Sequence, residues 1–252
     1  AATERILSGV QGSGPVNVLG EMVVVLDRNF QVEWAWDAFD HIDPARAALQ
    51  GETCAPGGGG CPPFYLSDRA NDWLHANSVR YTPDGNLVMS IRHQDWVIKI
   101  DYANGQGSGQ ILWRLGQYGD FTIESDDPDP WFSHQHDATI LPGPDGLLTL
   151  FDNGNARYVR DSTAKSRGQM YKLDEQSRVA RLVYNVDLGL YAPAVGSAQR
   201  LPNGNFHFDI GFLAGGVGSR SVETDAAGRV VYDIGADGAA YRTFRMSSLY
   251  VP

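Results

Sequence analysis

The sequence predicts an all-β fold of the β-propeller class, and three observations carry that prediction. Glycine and proline account for 29 and 13 of the 252 residues, and 11% of the chain is aromatic, as expected for short strands joined by tight turns. No stretch shows a sustained helical pattern of apolar residues. Turn tripeptides that begin at Pro83, Pro144 and Pro202 recur at intervals of roughly 60 residues, which indicates a repeated unit.

Each of these turns lies in a unit of four predicted strands, whose order of strand, turn, strand, loop, strand, turn and strand is that of a propeller blade. The strands are expected at 75–82, 86–92, 96–102 and 110–116 in the first unit, at 136–141, 147–151, 169–174 and 179–186 in the second, and at 197–201, 206–211, 219–224 and 229–234 in the third. A last strand at 241–250 is expected to complete another blade.

The N-terminal part of the sequence is less regular. A hairpin is predicted from strands at 22–26 and 32–36, and it resembles only the outer half of a blade, since residues 1–21 are glycine-rich and weakly patterned. Three full units and two partial ones make about four blades, where propellers have 4–8. We therefore expect residues 1–252 to form a single propeller domain that covers roughly four C-terminal blades and lacks upstream ones.

The charge of the chain excludes some classes of partner. A net charge of −10 and a pI near 4.9 argue against nucleic acid and acidic membrane surfaces, because both require a basic footprint. No run of about 18 or more apolar residues occurs, so no membrane span is expected. A local positive pocket for a small anion remains compatible with this composition.

The two cysteines, Cys54 and Cys61, flank a loop that contains four consecutive glycines. Their spacing favours a disulfide that staples this loop, with two free thiols as the alternative. A disulfide implies an oxidising compartment, so we expect a periplasmic or extracellular protein. No histidine follows at zinc-finger spacing, and no metal is expected.

The candidate site follows from the repeat. His75 lies eight positions before Pro83 and His136 eight before Pro144, which predicts that they are equivalent residues near the propeller axis, while the third unit has Ala194 there. Period-two alternation places Asn77 on the face of His75, and His134 on that of His136. Arg92 lies nine positions after Pro83, and its counterpart is Asn153. Imidazoles, an amide and a guanidinium together suit an oxyanion.

These residues carry a resemblance to a known family. The strings DWLHANS at 72–78, SIRHQ at 90–94, QHD at 135–137 and FDNGN at 151–155, with YRTFRMSSLY at 241–250, resemble the arylsulfate sulfotransferases, in order, from about Met22 to the end. The resemblance implies a six-bladed propeller that moves a sulfuryl group from an aryl sulfate to a phenol, independently of the nucleotide donor PAPS and without a cofactor. It also implies ping-pong kinetics through a transiently sulfated histidine.

Carried over residue by residue, the resemblance makes His136 the nucleophile. His75, Asn77 and Arg92 match the groups that bind the sulfuryl oxygens and assist proton transfer. A neutral imidazole nitrogen can attack sulfur and so divide one difficult displacement into two easier ones. His93, His134 and Asn153 are expected to have supporting or structural roles, and Asn153 could also simply form a turn.

One departure from the family opens alternatives. The family has a further catalytic histidine in the blade before that of His75, and no residue here matches it, since His41 follows the predicted hairpin. A complementary upstream fragment or a second copy of the chain could supply that part. A second hypothesis is a catalytically silent propeller that binds an anionic or aromatic ligand or forms one section of an assembly. A weaker third hypothesis is a hydrolase that passes the sulfuryl group to water.

The acidic run at 124–129 could bind calcium, but it suits a solvated turn better.

Overall fold

The computed structural model describes residues 1–53, 70–216 and 218–248, and these residues are almost entirely β-structure. By its internal contacts the chain divides into two compact units, Ala1–Arg114 and Leu115–Pro252. Within the described part, the one α-helix, α1 (Asn155–Arg160), has six residues. The predicted all-β class is confirmed. No helix of this part is long and apolar enough to cross a membrane.

The first unit contains two sheets. In one, strands β1 (Ala2–Leu7), β2 (Val16–Leu26) and β3 (Val32–Asp37) are antiparallel neighbours, and the short β4 (Asn71–Asp72) pairs in parallel with β2. The other consists of β5 (Ala76–Tyr81), β6 (Leu87–Ile91), β7 (Trp96–Ile100) and β8 (Ile111–Leu115) in sequential order.

The core of the first unit explains why its central strands β6 and β7 are apolar at all but one position each, the exceptions being Ser90 and Lys99. Every residue of β6 and β7 is buried, so neither strand has a solvent face that would select alternating polar residues. Trp36, Trp73 and Leu74 pack into the same cluster. The segment before β5 is thereby anchored beside the core by its own apolar side chains.

The second unit also contains two sheets. Strands β10 (His136–Ile140), β11 (Leu147–Asp152), β12 (Arg167–Asp174) and β13 (Val179–Asp187) are antiparallel, and β9 (Thr122–Glu124) adds to β13 in parallel. The last sheet is β14 (Ser197–Arg200), β15 (Phe206–Ile210), β16 (Ser219–Thr224) and β17 (Val230–Ala236).

The sequence analysis predicted twelve strands for the three full repeats. All twelve are confirmed, each to within two residues at either end. The N-terminal prediction was incomplete, because β1 and the first half of β2 lie in the region taken as weakly patterned. β1 is an edge strand in which no residue is fully buried, and its sequence, ATERIL, does not alternate between apolar and polar residues. Its main-chain ladder to β2 therefore leaves only a weak signal in the sequence.

The predicted strand at 241–250 is wrong as far as the structure describes it, since residues 241–248 form no strand. This segment lies along β14, where side chains take the place of a main-chain ladder. Ser197 Oγ donates to Thr243 O at 2.9 Å, and Gln199 exchanges hydrogen bonds with the main chain of Arg245 at 2.8 and 3.1 Å. Cys54 and Cys61 lie outside the described residues, so their disulfide stays a prediction.

Candidate functional site

The first cluster of candidate residues lies where the chain enters β5. His75 precedes the strand in a left-handed conformation, with φ of 52°, and Asn77 is an extra residue between the pairs Ala76↔Ile91 and Ser78↔Ser90. The prediction that His75 and Asn77 share a strand face by simple alternation was therefore wrong. A β-bulge of this kind re-aims the side chains beside it.

Asp72 organises the imidazoles of this cluster. Its carboxylate Oδ2 lies 2.6 Å from His75 Nδ1, and its main-chain oxygen accepts from His93 Nδ1 at 2.6 Å. The two rings are 4.7 Å apart between centroids. Arg92 donates from Nη1 to His93 Nε2, so buried His93 is neutral, with its proton on Nδ1. His93 thus supports both Arg92 and the loop that carries His75.

Asp72, His75 and His93 are also the residues of this unit that could hold a metal. One carboxylate oxygen and two ring nitrogens lie within 4.8 Å of one another. The hydrogen bonds already described compete with that role, because Nδ1 of His93 carries the proton it donates and its Nε2 faces a guanidinium. The arrangement therefore suits anion binding better than cation binding.

Glu21, on β2, is a candidate that the sequence reasoning missed. Its Oε1 accepts from the main-chain N–H of Ala76 at 3.1 Å, and it lines a pocket of about 320 Å³ with Asn77 and Ser78. Burial raises the pKa of Glu21 to about 7, against a smaller opposing effect of the Ala76 hydrogen bond. The only available signal was one carboxylate inside the largely apolar run VNVLGEMVVVL.

The second cluster belongs to the second unit and centres on His136, at the start of β10. His136 is 2% exposed, and its Nδ1 lies 2.7 Å from Asn153 Oδ1. The amide of Asn153 is oriented by its Nδ2, which donates to the main-chain oxygens of Ala192 and Val195 at 2.8 and 3.0 Å. Its oxygen therefore faces His136, which places the proton on Nδ1 and the lone pair on Nε2.

The loop that carries Asn153 is held by a buried ion pair. Asp152 Oδ2 lies 2.5 Å from Arg157 Nη1, on α1, and Asp152 Oδ1 accepts from the main-chain N–H of Ser133 at 2.9 Å. Burial raises the pKa of Asp152, and the guanidinium of Arg157 opposes that rise. The segments before β10 and after β11 are thereby joined, and Asn153 does more than form a turn.

The strand register corrects the predicted equivalence of His75 and His136. In the first repeat Thr82 N donates to Asn86 O across the turn, and in the second repeat Leu141 N donates to Leu147 O across the corresponding turn. The second turn is thus two residues longer, and Pro142, not Pro144, is the counterpart of Pro83. Counting back from Pro142 leads to His134.

Main-chain contacts support the same alignment. His93 N donates to Leu74 O, and Gly154 N donates to Ser133 O, both at 3.0 Å, so the residues that follow, His75 and His134, correspond. Their φ values agree, at 52° and 55°. His136 is accordingly the counterpart of Asn77, while the predicted equivalence of Arg92 and Asn153 is retained.

The third repeat has the same backbone at this point without an imidazole. Ala194 forms a bridge with Phe212, and the next residue, Val195, has φ of 56°. A β-branched residue is unusual in the left-handed region. The main chain, more than the side chain, is what the three repeats share here.

A buried polar face on β15 was not predicted as a site. His207 Nε2 contacts Ser221 Oγ at 2.6 Å, and Thr243 Oγ1 donates to Asp209 Oδ1 at 3.3 Å. Among the residues described, His207 Nδ1 and Asp209 Oδ2 have no hydrogen-bond partner. Burial raises the pKa of Asp209 to about 7 and lowers that of His207 to about 4. His207 thus has a hydrogen-bond partner among the described residues at only one of its two ring nitrogens.

The acidic run at 124–129 is engaged with arginines. Ion pairs join Glu124 to Arg181, Asp127 to Arg167 and Asp129 to Arg160. Three of its carboxylates thus already have cationic partners, which agrees with the interpretation as a surface turn and gives no support to a calcium loop.

Comparison with known proteins gives a family match. A model of the arylsulfotransferase family (ASST) matches residues 5–242, which is nearly the whole chain. No curated protein matches the sequence. A solved structure of a protein of unknown function from Bacteroides caccae is similar over 96% of this chain and 61% of its own, with 11% identity and a TM-score of 0.45. The chain therefore spans about 61% of the length of that protein.

Proposed function

We propose, from the premise that this chain belongs to the arylsulfotransferase family, that it transfers a sulfuryl group from an aryl sulfate to a phenol. His136 would carry the group between the two half-reactions. The observation that carries this proposal is the Nδ1–Asn153 hydrogen bond of 2.7 Å, because it places the nucleophilic lone pair on Nε2.

The same hydrogen bond suits the intermediate. When Nε2 attacks sulfur, the bond from sulfur to the aryl oxygen breaks, and its electron pair leaves with the phenolate. The sulfated ring keeps its Nδ1 proton and is cationic, so donation to the oriented oxygen of Asn153 stabilises it. A cationic ring is also a good leaving group for the second displacement, in which the acceptor phenol takes the sulfuryl group and Nε2 regains its electron pair.

We assign the binding of the sulfuryl oxygens to three residues, Arg92, Asn77 and His75. Arg92 offers a planar fork of donors, Asn77 an amide on a bulge, and His75 an imidazole beside Asp72. Donors of these types stabilise charge that develops on transferring oxygens. His134 and His93 are assigned supporting roles.

We further propose that the four sheets are blades of a propeller, and that a complementary fragment or a second copy supplies the family's catalytic histidine that no residue of this sequence matches. Secretion and a Cys54–Cys61 disulfide complete the proposal. Intact mass of the purified protein, with and without reduction and alkylation, tests both the fragment and the disulfide.

The alternative function is a propeller that binds an anionic or aromatic ligand without turnover. The burial of His136, at 2% exposed, favours it, because an attacking nitrogen must reach sulfur. Tight binding of an aryl sulfate by calorimetry, with no release of phenol, would select this function.

The deciding experiment incubates the protein with a chromogenic aryl sulfate, with and without an acceptor phenol, and maps sulfation by peptide mass. We expect phenol release, a sulfated peptide that contains His136, and acceleration by the acceptor. His136→Ala should abolish all three, while His207→Ala is the matched control for loss of a buried histidine. Turnover that no phenol accelerates would indicate a hydrolase, and full activity in His136→Ala would overturn the proposal.

A further inference from the structure

We infer that the pocket between β2 and β5 is a binding site for the phenolic hydroxyl of an acceptor, and that Glu21 exchanges the proton of that hydroxyl. This inference rests on the proposed sulfuryl transfer and adds to it a pocket and an acid–base residue that the sequence did not suggest.

The pocket has the size and lining that a single aromatic ring requires. Its volume is about 320 Å³, within the usual range of small-molecule sites. Residues of β2 and β5 form most of its wall. Its apolar lining comes from Ala1, Met22, Val23, Val24, Ala76, Val79 and Met89, and its polar side chains are those of Glu21, Asn77 and Ser78. An apolar wall with a few convergent polar groups is the usual design of such a site.

Glu21 is held in place without being neutralised. The N–H of Ala76 donates to one carboxylate oxygen at 3.1 Å, and Glu21 forms no other hydrogen bond and no ion pair with a described residue. A carboxyl group that is fixed by one oxygen retains the other for proton exchange with a ligand.

The charges around Glu21 leave its titration near neutrality. Burial is the largest influence on its pKa, which rises to about 7; the hydrogen bond from the Ala76 N–H and the imidazole of His75 lower it, and the carboxylate of Asp72 raises it. General acid–base catalysis is most efficient when the pKa lies near the working pH. The electrostatics thus agree with the role that the geometry indicates.

The proton balance is complete in both half-reactions. In the donor step the aryl oxygen leaves sulfur with the electron pair of the broken bond and takes a proton from the neutral carboxyl of Glu21. In the acceptor step the phenol oxygen forms the new bond to sulfur, the sulfur–nitrogen bond breaks towards the imidazole, and the phenolic proton passes to the Glu21 carboxylate. Glu21 is regenerated in each cycle, and no further reactant is needed.

The activity test uses Glu21→Gln, which keeps an oxygen for the Ala76 N–H but cannot exchange a proton at neutral pH. We expect transfer to unactivated phenol to fall by about 10²–10⁴-fold, and the inflection of the rate near pH 7 to disappear. Transfer to a nitrophenol that is already ionised should change little. Glu33→Gln, on the exposed face of β3, is the matched control and should retain the wild-type rate and pH profile.

The same variant separates this inference from the proposed function. Sulfation of His136 by a nitrophenyl sulfate needs no protonated leaving group, so it should persist in Glu21→Gln. If the wild type is sulfated and Glu21→Gln transfers to phenol at the wild-type rate with the same pH profile, the role of Glu21 is wrong and the function stands.

Binding provides a readout that does not depend on activity. The chain has four methionines, of which Met22 and Met89 line the pocket while Met170 and Met246 do not. With methyl-labelled methionine, phenol should shift the resonances of Met22 and Met89 in a saturable way and leave the other two unchanged. Equal shifts at all four methyl groups, or none, would overturn the inference whatever the activity.

Discussion

Asn153 Oδ1 accepts the Nδ1 proton of His136 at 2.7 Å, and the amide that makes this contact is itself fixed by two main-chain carbonyls. The tautomer of the histidine is thus set by the loop between β11 and α1. This loop is positioned in turn by the Asp152–Arg157 pair. In a catalytic triad, the acidic residue orients the histidine by a contact of the same kind.

Replacing Asn153 tests this relationship. Asn153→Leu removes the acceptor, so His136 loses both its tautomer and its orientation, and we expect sulfation of His136 to slow by about 10²-fold, as for a misplaced reacting group. Time-resolved intact mass with an aryl sulfate gives the rate. Asn155→Leu is the control, because Asn155 Nδ2 also donates to a main-chain oxygen nearby, that of Pro193 at 3.1 Å. Equal slowing in both variants would mean that general damage to the loop is responsible.

The Asp152–Arg157 pair should be costly to break from one side. Arg157→Met leaves a buried carboxylate without its cation, and we expect the free energy of unfolding to fall by about 3–5 kcal/mol. The double variant with Asp152→Asn should recover part of that loss, since it removes the uncompensated charge. Urea denaturation of the three proteins measures both effects, and additive losses would contradict the pairing.

Asp209 predicts a pH dependence of stability. Its pKa is about 7 in the fold, well above the ordinary 3.8, because burial outweighs the hydrogen bond from Thr243. The folded state therefore binds the proton more tightly, and its contribution is present below about pH 4 and lost as the pH rises through 7. We expect a loss on the order of 2–4 kcal/mol between those limits.

Unfolding free energies measured from pH 4 to 8 check this expectation. Asp209→Asn should flatten the curve. Of the groups that remain, Glu21, whose pKa is raised, gives a slope of the same sign, and His207, whose pKa is lowered, gives one of the opposite sign. Asp145→Asn, in an exposed turn, should leave the slope as it is in the wild type. An unchanged slope in Asp209→Asn would show that this carboxyl ionises normally.

Val195 should be a site of backbone strain. A β-branched side chain at φ of 56° costs about 1–2 kcal/mol more than a residue that tolerates this region, so Val195→Asn should raise the unfolding free energy by about 1 kcal/mol. Val195→Ala separates the loss of methyl groups from the relief of strain and should gain less. The midpoint of chemical denaturation gives the comparison.

The sequence predicted those parts of the fold whose signal is local. Turn tripeptides and the apolar runs beside them located all twelve strands of the three full units. It did not reveal β1, because pairing at an exposed edge needs main-chain groups and not apolar side chains. It predicted a strand at 241–250, but no strand forms over the described residues 241–248, where hydrogen bonds from Ser197 and Gln199 replace the ladder.

The sequence named candidate site residues, and the structure corrects how they are arranged. His75 and Asn77 were assigned to one face by alternation, but the bulge at Asn77 breaks that period. Equivalence was counted from Pro144, although two extra residues in the turn make Pro142 the correct origin. Glu21 has no motif around it, and its role is indicated only by the fold, through its contact with Ala76 and its place in the pocket.

The left-handed position before the first strand of each repeat can hold different side chains without a change in the backbone conformation. His75, His134 and Val195 share one main-chain conformation there, so the side chain can be exchanged while the backbone stays in place. After duplication, one copy can keep an imidazole while another loses it by a single substitution. Val195→His would place a third imidazole at the same left-handed position, in the third repeat.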